Sequence, residues 1–247
     1  MSGTPTTTPV DPEAICTRVV SRVIEQLGRL DIAPDSPHWE ALEGPKGNVG
    51  ELRRYRGRRG VQDVVGAHLA PGVPPLDSHM VVVFTDPESP VPHLVVDSVV
   101  FGEQASFHVD LLPKADLAES PHYLAHCFAP LDALKERMEE DERLVAGKVP
   151  LAQQALLTPW SATYQVAPAN LALAMEYTQA YFDHWSSLVT EPWPTQVEAE
   201  VSGEGAARRS RALRRRLFSR DVDPVWSMLD RAIGSESVDR LLAALND

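Results

Sequence analysis

Residues 78–112 read as three β-strands in immediate succession, and no other stretch narrows the fold as much. HMVVVFTD at 79–86 is followed by HLVVDSVVF at 93–101 and, after Gly102-Glu103, by QASFHVDLL at 104–112. Val, Phe and Leu fill nearly every position of the middle run, the pattern of a central strand covered on both faces. Asp97 sits in the middle of that run. An ionised carboxylate there is costly unless paired, so its surroundings either supply a partner or raise its pKa until it is neutral at working pH. In the first case Asp97 caps a bulge or pairs with a buried Arg or His. In the second it can donate a proton.

The flanking sequence sorts into strands followed by helices. Pro12 opens an amphipathic segment, PEAICTRVVSRVIEQLGRL, in which Ile15, Val19, Val23 and Leu27 recur at helical spacing. A Pro- and Gly-rich linker is expected over 33–50, after which ELRRYRG at 51–57 and VQDVVGAHLA at 61–70 read as strands leading through PGVPPLD into the central runs. About five strands in succession are the mark of an antiparallel meander. A helix is predicted over 121–142, its acidic run EEDE a solvated face, then a sixth strand within LTPWSATYQV at 157–166. Residues 168–188 have the spacing of a long helix with Leu171, Met175, Thr178 and Phe182 inward, and the tail is helical from 204 to 245 with a break near Asp221 to Pro224. The expected fold is α+β, a three-layer α/β/α sandwich with a central antiparallel sheet flanked by helices. Residues 13–247 would form one domain after a flexible N-terminal tail, 1–12.

Composition excludes several classes of function. A formal net charge of -12 over 247 residues argues against binding nucleic acid or an anionic membrane through the surface at large. No apolar run approaches the roughly 20 residues of a membrane span. The opening MSGTPTTTPVDP lacks a basic region followed by an apolar core, so a cytoplasmic protein is expected. Cys16 and Cys127 are the only cysteines, read as small buried hydrophobes, and two thiols cannot hold a four-thiolate iron-sulfur cluster. The nearest dinucleotide fingerprint, GEGAAR at 203–208, lacks its last glycine, and the Walker and Gly-x-Ser-x-Gly patterns are absent. His122 and His126 lie four apart on a helical pattern with no third ligand spaced to help, so no metal set is expected. In an acidic chain, RRSRALRRR stands out: Arg208, Arg209, Arg211, Arg214 and Arg215 form either a solvated helix face or a docking patch for an acidic partner.

The run HMVVVFTDPESPVPHLVVDSVVFGEQASFHVDLLP resembles the core of the ferredoxin-dependent bilin reductases. It has a strand ending near Phe84, a Pro-containing turn, an apolar strand bearing Asp97, and a Gly-x-Gln-x-Ser return through Ser106. LTPWSATYQVAPANLALAMEYTQAYFDHW is similar to the strand and long helix of that family, DPVWSMLDRAIGSESVDRLLAAL to its C-terminal helical segment, and HVDLLPKADLAESPHYL to the red chlorophyll catabolite reductases.

The resemblance implies an α/β/α sandwich that reduces a linear tetrapyrrole with no tightly bound cofactor and no metal. Reduced ferredoxin would supply single electrons, docked on the arginine patch, and the protein would supply protons. By motif the catalytic acids fall on Asp97 and Asp223. Each added electron raises the basicity of the conjugated pigment, so the placing of acids selects the double bond that is reduced. Where the phycocyanobilin-forming branch carries a glutamate and a histidine, this chain has His68 and Met80 as its substrate-binding candidates, which implies a two-electron reaction. Ser106 resembles a propionate contact, and Ala167 stands where a propionate-binding arginine is expected. Other readings stay open: His68 as a satisfied sheet histidine, Asp223 as a helix cap ahead of Pro224, and the whole protein as a tetrapyrrole binder or a reductase of another conjugated substrate such as a chlorophyll catabolite.

Overall fold

The computed structural model describes residues 12–33, 36–72, 76–102, 104–201 and 204–247. The expected tail before Pro12 and the side chains of Ile15 and Cys16 lie outside the described residues. Eight strands form one antiparallel sheet: β1 (His38–Gly44), β2 (Gly47–Arg56), β3 (Val61–Leu69), β4 (Leu76–Thr85), β5 (His93–Phe101), β6 (Gln104–Leu112), β7 (Leu144–Ala146) and β8 (Ala162–Val166). Their spatial order is β1-β2-β3-β4-β5-β6-β8-β7, so the first six are a meander and only the last two are exchanged. The helices are α1 (Pro12–Arg29), α2 (Pro121–Cys127), α3 (Asp132–Glu140), α4 (Leu151–Gln154), α5 (Ala172–Thr190), α6 (Thr195–Val201), α7 (Glu204–Leu217), α8 (Val225–Ile233) and α9 (Ser235–Asn246).

Because successive side chains on a strand point to opposite faces, the Val-rich strands feed two separate apolar clusters. Val81 and Val83 of β4, with Leu94 and Val96 of β5, join Val19, Val23 and Leu27 of α1 and the aromatic side of α5. Val82 and Phe84, with Val95, join Trp226, Leu229, Leu241 and Leu245 of α8 and α9. The central position read from β5 is therefore met, and β2 to β6 each feed both clusters.

Four local expectations need correction. The linker expected over 33–50 contains β1 and the start of β2; β1 is an edge strand in which Leu42 alone is fully buried and Trp39 is 54% exposed, so it lacks the apolar alternation that marks an inner strand. The helix expected over 121–142 is broken by a 3-10 turn at Ala129–Leu131, where Pro130 has no amide hydrogen to continue the ladder. Within the acidic run, Asp141 is not solvated: it accepts from the Arg143 guanidinium at 2.7 and 2.8 Å and from the Tyr177 hydroxyl at 3.1 Å. The tail has a second break at Gly234, whose φ of 88° separates α8 from α9 in a conformation that glycine tolerates.

Candidate active site

Strand register assembles the site. Met80 of β4 is the Cα partner of Asp97 of β5, and Asp97 is the partner of His108 of β6. The three residues form one row across the centre of the sheet, on the face that α8 and α9 cover. From above, the turn between α7 and α8 brings in Asp223. A cavity of about 200 Å³ lies between them, lined by Met80, Asp97, His108, Gln153, Asp223 and Trp226 among others.

The two aspartates differ in how they are held. Asp97 is half-buried at the cavity wall, with no side-chain hydrogen bond among the described residues to steady its charge; burial first, and the nearby Asp223 second, raise its pKa to about 7. At neutral pH it is therefore divided between acid and carboxylate. Asp223 is also raised by burial, but its carboxylate accepts from the Val225 amide at 2.9 Å and the Gln153 side-chain amide at 3.3 Å, both of which favour the charged form. The bond to Val225 makes Asp223 a cap on the first turn of α8 as well as a residue of the cavity wall.

Sequence reading missed three neighbours. His108 shares a 2.7 Å hydrogen bond through Nδ1 with the Thr163 hydroxyl, and burial, with the Lys135 charge behind it, depresses its pKa to about 4. It is a neutral imidazole at pH 7, and the cross-strand pairing of 97 with 108 is the signal that would have found it. Gln153 comes from α4, too short to announce itself by periodicity. Trp226 lines the cavity, and its buried indole N–H has no hydrogen-bond partner among the described residues. One further acid, Asp110, lies on the same sheet face but outside the cavity; its oxygens accept from the Thr158 amide at 3.1 Å and hydroxyl at 2.5 Å, and burial outweighs these bonds to lift its pKa to about 7.

The remaining candidates divide. Met80 lines the cavity. His68 does not: it pairs in register with His79, whereas Met80 pairs with Ala67, so pleat parity puts His68 on the opposite face of the sheet from Asp97. There its Nε2 lies 2.9 Å from Asp77 Oδ1 and its ring stacks on His79 at 4.1 Å. Ser106 is on the cavity face, two residues from His108, but beyond the lining.

Arg208, Arg209, Arg211 and Arg215 are exposed on α7, Arg209 pairing with Asp116 at 2.9 Å. Arg214 is the exception and leaves the patch. It is 7% exposed, its guanidinium lies 3.5 Å over the Phe84 ring, and it donates to the carbonyls of Leu245 and Ala244. His122 and His126 separate, the first hydrogen-bonded to Glu200 at 2.6 Å and the second edge-on to Trp193. Cys127 is free and buried. Among the described residues, no helix is long and apolar enough to cross a membrane.

No family model and no curated protein sequence matches the chain. Among solved structures it is similar to the crystal structure of phytochromobilin synthase from tomato in complex with biliverdin, with a TM-score of 0.70 and 15% identity over 93% of this chain and 82% of that one. At that identity the likeness is one of fold, a mixed α/β architecture built on an antiparallel sheet.

Proposed function

We propose that the chain is an oxidoreductase that reduces a linear tetrapyrrole of the biliverdin type, taking single electrons from ferredoxin and protons from Asp97 and Asp223. The observation that carries this reading is the convergence of two aspartates, one from the sheet and one from the helical cover, on a single apolar cavity, with Asp97 poised near pH 7. The fold shared with a synthase crystallised with biliverdin supports it. Saturating one double bond consumes two electrons and two protons, and two cavity acids with differently held carboxylates match that demand. The neutral His108 beside Asp97 fits a hydrogen-bonding contact to a pyrrole or lactam group. The sheet and its two helical covers act in this reading as a three-layer sandwich with the pigment between the sheet and α7 to α9.

A cavity of about 200 Å³ is smaller than the roughly 300–1,000 Å³ usual for small-molecule pockets, so an extended tetrapyrrole enters only if α7 to α9 move outward. The exposed arginines of α7 flank that cover and suit an acidic electron donor, whose local attraction outweighs the acidic surface at large. Anaerobic visible spectroscopy with biliverdin, before and after addition of ferredoxin, its reductase and NADPH, tests the proposal. Bleaching of the bound-pigment band with growth of a blue-shifted product is the expected result. A bound band unchanged by electrons would make the protein a pigment binder, and absence of any binding would move the substrate to another conjugated molecule.

A further inference from the structure

The face of the sheet opposite the Asp97 cavity carries a second constellation. His68 on β3 and His79 on β4 stand directly across from one another, their rings stacked 4.1 Å apart with 13° between the planes. Both Nε2 atoms approach the same carboxylate oxygen, Asp77 Oδ1, at 2.9 and 3.1 Å. The other oxygen, Asp77 Oδ2, is buried and has no hydrogen-bond partner among the described residues. Two donors crowd one oxygen while its twin is left without any, an arrangement that costs free energy in a purely hydrogen-bonded carboxylate.

Metal geometry accounts for both features. One nitrogen from each histidine and one carboxylate oxygen lie within 4.8 Å of one another. Ligands held about 2.0–2.2 Å from a tetrahedral ion are roughly 3.3–3.5 Å apart, so a tilt of the rings that draws the widest-spaced ligand atoms together by up to about 1.5 Å brings the set to bonding distance. Strand pairing fixes all three backbones, His68 against His79 and Asp77 against Val100, which lowers the cost of assembling the site. The side chain of Asp77 is 12% exposed and that of His79 8%, whereas that of His68 is 36% exposed, which leaves an approach from solvent. Glu51 on β2 is in register with His68, but it is engaged by Arg53 and by the Trp39 indole at 2.7 Å.

We propose that His68, Asp77 and His79 bind one divalent transition-metal ion of the Zn²⁺ class, with water at the open position. Two imidazoles and a carboxylate favour Zn²⁺ over Mg²⁺ or Ca²⁺, which prefer oxygen ligands. The ion would clamp β3 to β4, and Met80, next to His79 but facing the other way, would carry that rigidity to the floor of the cavity. This site is independent of the tetrapyrrole reading, since it needs neither pigment nor electrons.

Titration calorimetry of the full chain with Zn²⁺ alone should give one saturable site per chain. His68→Ala, at the most exposed ligand, should keep the circular dichroism of the parent and weaken Zn²⁺ binding by more than the roughly 10–100-fold that even an outer-shell partner costs. Asp77→Asn should abolish the visible bands that Co²⁺ develops in the parent protein. His122→Ala, which removes a surface histidine paired with Glu200, should leave the stoichiometry unchanged. Absence of a saturable site, binding unchanged by His68→Ala, or binding lost in His122→Ala would overturn the assignment.

Discussion

Asp97 combines two conditions that a proton donor needs: contact with a cavity, and a pKa near the working pH. With the folded pKa at about 7, the acid form dominates below that pH and is lost above it. A rate limited by protonation from Asp97 should therefore be level in mild acid and fall about tenfold per pH unit beyond its pKa, read in single-turnover bleaching of bound pigment. Stability follows the same group. The folded state binds more protons than the unfolded chain between about 4 and 7, so this contribution to stability declines as pH rises through that window and is flat above it. Asp97→Asn should consequently be more resistant to urea than the parent at pH 8, by at least about 1 kcal/mol. Asp110→Asn should go the other way, losing about 1–3 kcal/mol, because an amide cannot accept from both Thr158 donors as the carboxyl does. The unusual placing of Asp97 was legible in the sequence, since an aspartate inside an apolar strand is visible without a fold. What surrounds it was not: Asp223 lies 126 positions away by residue number and was found only through the resemblance, while Gln153 and Trp226 carry no pattern that points to a site.

At the scale of elements, strand register decides which residues can cooperate. The boundaries of β5 and β6 coincide with those read from the sequence because β5 is apolar on nearly every position, β6 alternates apolar with polar residues, and Gly102 separates them in a left-handed turn, with φ 59°. His68 shows how such reading fails. It was a candidate by motif alone, and the observed register pairs it with His79, the neighbour of Met80, and hence puts it on the other face. The helix α7 fails differently: its composition announces a charged face, but one of its five candidate arginines is a core residue that covers Phe84 and caps the end of α9. Arg214→Ala should cost about 2–4 kcal/mol in a denaturation experiment, from the lost ring contact and the carbonyls left without a donor. Charge reversal at Arg208, Arg211 and Arg215 should leave stability unchanged and slow electron delivery from ferredoxin at low salt, an effect that vanishes as ionic strength rises.

For the whole molecule, the sheet divides the chemistry as well as the core. One face, under α8 and α9, carries Met80, Asp97 and His108; the other carries His68, Asp77 and His79 beside the cluster formed with α1 and α5. Sequence patterning lacks the long-range features, β1 at the edge and the exchange of β7 with β8; that exchange sets Thr163 of β8 beside His108, and the central strands alone give only the row of Met80, Asp97 and His108. The central claim is that Asp97 in its acid form protonates a conjugated substrate in the cavity. Its most direct test is an anaerobic single turnover of Asp97→Asn with bound biliverdin and reduced ferredoxin. The account predicts that pigment still binds and that product formation slows by about 10²–10⁴-fold, the range expected on losing a positioned general acid; turnover at the parent rate would contradict it.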